Sequence, residues 1–262
     1  MSRKGAAPAS KAPGGKKKPV GDARKGAAGP GVLARAGRAA RRILLAFVVV
    51  SCAQVLLLRW VDPPLTVTML QQSGWTAYRY HPLPLADVPP VMREMVVAGE
   101  DDRFWIHHGV DLGAVWQRGR ECTVRAWKKR AFTTDGCAGA STLTMQVARN
   151  VFLFQGGGLA RKAVEAWYAV LLDLLVPKER ILEVYLQVAQ FGKVSYGVRE
   201  GAREVLGVEP AALDDLSAPQ AATLVGMLPC PNTCAPTTPR VQATRARVLA
   251  NWRAGAGKAP GR

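Results

Sequence analysis

Residues 43–58 (ILLAFVVVSCAQVLLL) carry no charge and almost no polar side chain. Such a run is either a buried core helix or a membrane span, and its flanks decide between them. Twelve Lys and Arg residues precede it in residues 1–42, against Asp22 alone, and Pro63-Pro64 follows it. Its sixteen residues fall short of the about 20 needed to cross a bilayer. Arg59 can snorkel, however, and Trp60 and Val61 extend the run to an interfacial aromatic. An anchor helix over 43–61 is therefore expected, with the basic N-terminus on the cytoplasmic side.

Most of the +17 net charge lies before that anchor. The Ala, Gly, Pro and Lys content of residues 1–42 cannot bury a core, so this stretch reads as a disordered cytoplasmic tail. Its basicity describes a solvated tail, and no nucleic-acid partner is expected. The charged region is too long for a cleaved signal peptide, and no small-residue cleavage site precedes Asp62. The apolar run continues past Cys52, which argues against lipid attachment there.

The remainder of the chain is then expected outside the cytoplasm. Four of the five cysteines lie in it: Cys122, Cys137, Cys230 and Cys234. An even number in an oxidising compartment permits two disulfides, with three connectivities. Sequence proximity favours Cys122–Cys137 and Cys230–Cys234. Zinc is disfavoured, because no Cys-x-x-Cys pair occurs and histidine is scarce.

Residues 62–90 are rich in Pro and turn formers and read as a linker leading into the domain, with a strand-like piece at 65–69. A helix is predicted over 91–101. The stretch 116–132 interleaves basic residues with Trp116, Trp127 and Phe132, which suits either anionic headgroups or an exposed helix with two buried tryptophans. Beyond Gly136 the apolar spacing is helical. Ser141 can cap a helix carrying Leu143, Val147 and Val151. Gly156-Gly157-Gly158 breaks it, and further helices carry Tyr168 and Leu172, then Ile181 and Tyr185, then Val198 and Ala202. Ser217 and Gln220 have capping-box spacing. No long alternating strand pattern appears. The expected layout is a domain over 91–252 and a flexible tail over 253–262.

Glu100 ends a mostly apolar helical segment, where a carboxylate is costly unless paired or used, so it is a candidate catalytic acid or base. Arg161 and Lys162 lie four and three residues before Glu165, which suits an ion pair on one helix face. Ser141, Thr142, Thr144 and Gln146 precede Arg149 and could hold phosphate or sugar oxygens at a helix start.

Five segments together carry a resemblance. Glu100-Asp101-x-x-Phe104-x-x-His107-x-Gly109-x-Asp111 is the first. Gly139-x-Ser141-Thr142-x-Thr144-Met145-Gln146-x-x-Arg149-Asn150 is the second, and Arg161-Lys162-x-x-Glu165 the third. Lys178 through Gln187, with Phe191-Gly192 and Tyr196-Gly197, forms the fourth, and 216–236 the fifth. In this order they resemble the motifs of the peptidoglycan glycosyltransferases (glycosyltransferase family 51), in particular the monofunctional, membrane-anchored type. The resemblance implies a mainly α, lysozyme-like peptidoglycan glycosyltransferase domain preceded by one N-terminal transmembrane helix. It further implies polymerisation of lipid II into β-1,4-linked glycan with release of undecaprenyl pyrophosphate.

By the same resemblance Glu100 is the general base, and Glu165 assists at the pyrophosphate. Asp101, Ser141, Thr142, Gln146, Arg149, Arg161 and Lys162 are expected to bind substrate. No cofactor is required by the sequence. A divalent metal, Mg or Mn, is left open, with Glu165 as its ligand. Expected partners are lipid II, the growing glycan chain, membrane lipids and other cell-wall synthesis proteins. The expected location is the bacterial inner membrane, with a single pass and a periplasmic catalytic domain. No Ser-x-x-Lys occurs, so no penicillin-binding transpeptidase domain is expected.

The sequence departs from the family pattern at Met145 and Arg149 (glutamine and lysine in the family), Gln187 (asparagine), Val194 (glycine) and Gln220 (a common glutamate). Gly157 stands where many members carry an arginine. The departures at Met145, Gly157 and Gln187 leave open a non-catalytic cell-wall scaffold that keeps the fold; a lysozyme-like enzyme that cleaves glycan, which would also use a glutamate in a helical domain, is the other alternative. His107, Phe104, Trp105, Tyr185, Phe191 and Tyr196 are expected to pack rather than react.

Overall fold

The computed structural model describes residues 30–74, 78–129 and 141–259. The chain divides into two units, Met1–Ala46 and Phe47–Arg262. Helix α1 (Pro30–Leu58) includes the apolar run. Over Ala34–Leu58 it is long and apolar enough to cross a membrane, with only 17% of its most apolar window buried.

Within the larger unit, the last turns of α1 are docked rather than free. Val55 and Leu58 are buried. Side chains of this segment bond to α6 (Gly158–Leu175). Trp167 Nε1 donates to Ser51 Oγ at 3.1 Å, and Tyr168 Oη donates to Gln54 Oε1 at 2.7 Å. Arg180 then grips the end of α1, donating to Leu58 O at 3.0 Å and Asp62 Oδ1 at 2.7 Å.

Helix α2 (Val67–Ser73) occupies the piece expected to be strand-like. The Thr66 hydroxyl accepts from Met69 N at 3.2 Å and starts the helix. Met69 is fully buried, so part of the expected linker belongs to the core. A short strand β1 (Arg79–Tyr80) pairs in parallel with β2 (Ser195–Tyr196). Helix α3 (Pro90–Glu100) starts at a proline, which suits the first helical position, and buries Met92, Met95 and Val96. Helix α4 (Leu112–Lys129) follows. The expected bridge from Cys122 to Cys137 lies outside the described residues.

Helix α5 (Leu143–Phe152) is capped by Thr142 rather than by Ser141. Thr142 Oγ1 accepts from Met145 N at 3.1 Å, and this leaves the Ser141 hydroxyl free for the site. Gly156, Gly157 and Gly158 all take positive φ before α6 begins. Helix α7 (Lys178–Val188) is separated from α6 by Pro177. Helix α8 (Val198–Leu206) precedes α9 (Ala218–Met227), where Gln220 Oε1 accepts from Ser217 N at 3.0 Å as the capping box requires. Helix α10 (Pro239–Arg253) closes the order. A disulfide joins Cys230 to Cys234 between α9 and α10.

Two packings place the site. Helix α5 lies against α6 and α7, and α3 lies against α9 and α10. The approach of α3 is close. A Cβ on Gly99 would sit 2.5 Å from Val225 Cγ1 and 3.0 Å from Val248 Cγ2, so only glycine fits beside Glu100 without repacking. Residues 254–259, expected to be a flexible tail, instead fold back on α3. Trp105 Nε1 donates to Gly257 O at 3.3 Å, and Trp252 Nε1 donates to Glu94 Oε2 at 2.7 Å. Gly257 is buried there with φ +87°, a conformation suited to glycine.

Candidate active site

Helix α3 ends on Glu100, and the next residue turns the chain inward. Asp101 Oδ2 accepts from Leu143 N at 2.8 Å and pairs with His107 Nε2 at 2.8 Å. The Asp101 side chain is only 5% exposed. Asp101 was expected to bind substrate. Its carboxylate instead caps α5, where it satisfies a free helix-start amide and meets the positive end of the helix dipole. Thr142 is also turned inward. Its hydroxyl donates to Gly109 O at 2.6 Å while capping the same helix. These two residues tie the end of α3, the loop of the first motif and the start of α5 into one unit.

That unit presents Glu100 to the next turn of α5. Gln146 Nε2 donates to Glu100 Oε2 at 3.0 Å. Tyr185 on α7, expected only to pack, donates from its hydroxyl to Gln146 Oε1 at 3.3 Å. Burial raises the Glu100 pKa above the ordinary glutamate range. The Gln146 hydrogen bond and the charges of Arg247 and Arg149 oppose the rise.

The second carboxylate lies on α6. Glu165 is fully buried, and it forms an ion pair with Arg161 and another with Lys162, the latter at 2.9 Å. The i,i+4 and i,i+3 spacing puts both cations on its face of the helix. Lys162 Nζ also donates to Ser141 Oγ at 2.6 Å. Burial lowers the Lys162 pKa, and the nearby Arg149 and Arg161 charges lower it further.

Arg149, one turn beyond Gln146 on α5, joins the two halves. It lies close enough to Glu100 to oppose the rise in its pKa and close enough to Lys162 to depress its pKa. Burial lowers Arg149's own pKa, and the neighbouring Glu100 and Tyr185 oppose that. Glu100 and Glu165 thus flank one cation cluster of Arg149, Arg161 and Lys162. A cavity of about 370 Å³ lies elsewhere, lined by Arg93, Glu94, Trp105, Glu179 and Lys258, and contains none of these groups.

The departures from the family pattern fall mostly on packing and capping positions. Met145 is 3% exposed, so an apolar side chain suits its place. Gln187 is buried and donates to Leu83 O at 3.1 Å. Val194 supplies a carbonyl to Arg79 N, and Gln220 caps α9. At Gly157 the backbone has φ +93°, and an added Cβ would lie 3.0 Å from Arg161 Cβ. An arginine there would be strained in this loop, so its absence matches the local backbone. Arg247 on α10 belongs to none of the five motifs. Only packing against α3 brings it near Glu100, and nothing in its local sequence marks it.

The helical domain thus sets a carboxylate of raised pKa beside a half-buried cluster of three cations. A sequence model described as transglycosylase matches residues 67–253. The chain therefore belongs to the transglycosylase family. It is 38% identical over 208 residues to the biosynthetic peptidoglycan transglycosylase of Xanthomonas campestris pv. campestris (strain B100), covering 75% of this chain and 80% of the relative. It is 40% identical over 197 residues to the protein of the same name from Pseudomonas entomophila (strain L48), covering 72% and 78%. Its identity to that of Xylella fastidiosa (strain M23) is 38% over 202 residues, covering 73% and 78%.

Proposed function

We propose that this protein is a membrane-anchored peptidoglycan glycosyltransferase that polymerises lipid II into β-1,4-linked glycan. The observation that carries the reading is the shared cation cluster between Glu100 and Glu165. Glu100 takes the proton from the 4-hydroxyl of the acceptor sugar as that oxygen attacks the anomeric carbon of the growing chain. The new C–O bond forms as the bond from the anomeric carbon to the diphosphate oxygen breaks, with inversion. Undecaprenyl pyrophosphate leaves with the electron pair.

Arg149, Arg161 and Lys162 stabilise the charge that develops on the diphosphate, and Ser141, bonded to Lys162, orients that amine. Such general-base help is worth about 10²–10⁴ in rate. Glu165 holds Arg161 and Lys162 in place.

The same cations bear on the metal. Both Glu165 oxygens already face cations, so a divalent ion would have to displace Arg161 or Lys162 to bind there. No group of three His, Cys, Asp or Glu side chains among the described residues is arranged to hold one. We therefore derive no step through a metal. In this reading the domain sits at the outer face of the bacterial inner membrane, within reach of lipid-linked substrate; the long apolar helix over Ala34–Leu58 and the basic residues before it support that.

The test is polymerisation of lipid II by the full chain and by Glu100→Gln, each with and without a chelator. Polymer from the wild type in both conditions, and a loss of about 10²-fold or more in Glu100→Gln, is the expected result. An inactive wild type, or a fully active Glu100→Gln, overturns the reading. Metal-dependent activity overturns the metal-free assignment alone.

A further inference from the structure

We propose that Tyr185 is a positioning residue that fixes which end of the Gln146 amide meets Glu100. The inference rests on the reading of Glu100 as the base. A glutamine amide has two ends of nearly equal size and opposite hydrogen-bonding character. Here Nε2 donates to Glu100 Oε2 at 3.0 Å, and Oε1 accepts from Tyr185 Oη at 3.3 Å. The phenol is fully enclosed in the core, on the face of α7 that packs against α5. Burial holds its ionisation well above the ordinary tyrosine range, so it remains a donor at every working pH.

The consequence appears when Glu100 gains a proton. A protonated carboxyl can donate, and an amide free to turn would offer it Oε1. That arrangement would stabilise the protonated acid and weaken the base. If the amide turned, Tyr185 Oη could accept from Nε2, but its own buried O–H would lose its acceptor, so the amide keeps its N–H toward Glu100 and favours the ionised form. It also occupies Oε2, which leaves Oε1 of Glu100 as the oxygen offered to the acceptor hydroxyl. The other groups facing Glu100 are Arg149 from α5, Arg247 from α10 and the adjacent Asp101.

Two measurements on the full chain in detergent test this. The first is the pH dependence of kcat/KM for lipid II polymerisation in Tyr185→Phe, Gln146→Leu and the double variant. In Tyr185→Phe the acid limb should move upward by about half to one pH unit, the effect of one lost hydrogen bond. The rate on that limb should fall about 3- to 10-fold. Gln146→Leu should move it the same way, and adding Tyr185→Phe to Gln146→Leu should change nothing further. An unmoved acid limb, or a Tyr185→Phe loss that persists in the Gln146→Leu background, overturns the proposal.

The second measurement is a carbon-NMR titration of labelled glutamate carboxyls, with Glu100 identified by its missing signal in Glu100→Gln. The Glu100 pKa should rise in Tyr185→Phe. If the wild type forms no polymer but this titration moves, the polymerase reading has failed and the positioning role stands. If polymer forms and the titration does not move, the positioning role has failed.

Discussion

Glu100 shows how a single residue trades stability for chemistry. Its folded pKa is raised, so between the unfolded and folded values the native state binds more protons than the unfolded chain. Stability is therefore lost as pH rises from the unfolded value through the folded pKa. Glu100→Gln, which keeps the bond from Gln146, should melt about 2–4 °C higher than wild type once the pH exceeds the folded pKa of Glu100. That gain should shrink towards zero below the ordinary glutamate pKa, which differential scanning calorimetry at two pH values would check. Arg149 makes a second test. Arg149→Ala removes the cation that lies between Glu100 and Lys162 and should lower kcat by about 10²-fold, whereas Arg149→Lys keeps the charge and should retain most of it. Steady-state kinetics on lipid II would separate the two. Glu100, Glu165, Arg161 and Lys162 were legible as candidates from spacing and motif. Asp101 and Thr142 were not legible in their roles, because a short polar side chain reads the same whether it points to a ligand or to a helix end; Tyr185 reads as a packing aromatic, and only the approach of α7 to α5 turns its hydroxyl onto Gln146.

At the scale of elements, α3 is held from three sides. Gly99 leaves room for Val225 and Val248, Asp101 caps α5, and residues 254–259 lie along its outer face. The last of these contacts extends past the residues that match the family. A Cβ at Gly257 would sit 2.1 Å from Glu94 O, on a backbone with φ +87°. Gly257→Val should therefore destabilise the fold by about 2–3 kcal/mol, through backbone strain and overpacking together. Thermal unfolding would show it, and Gly255→Val is the control, since a Cβ there meets nothing within 4 Å, although φ is +95°. The apolar periods of α5 through α9 were visible in the sequence because each helix buries one stripe. The helix at 67–73 was misread because its Thr-rich start suits a strand equally well, and burial of Met69 decides the matter only in the folded chain.

At the scale of the whole molecule, α1 from Phe47 onward is bonded to the helix that carries Arg161, Lys162 and Glu165. The anchor and the cation cluster are therefore mechanically continuous. Cleaving the chain between Ser51 and Arg59 should cost stability as well as membrane attachment. A reporter active only outside the cytoplasm, fused after residue 259, should be active, and one fused at the N-terminus should not. The amino-acid order alone determined the apolar anchor helix, the basic tail, the helical class and the pairing of Arg161 and Lys162 with Glu165, because these depend on local composition and on spacing along one helix. Only the tertiary structure decided which residues meet. Glu100, Gln146, Tyr185 and Arg247 come from four helices far apart in the chain, and no local pattern encodes the packing of α3 on α10 or of α5 on α7 that brings them within reach.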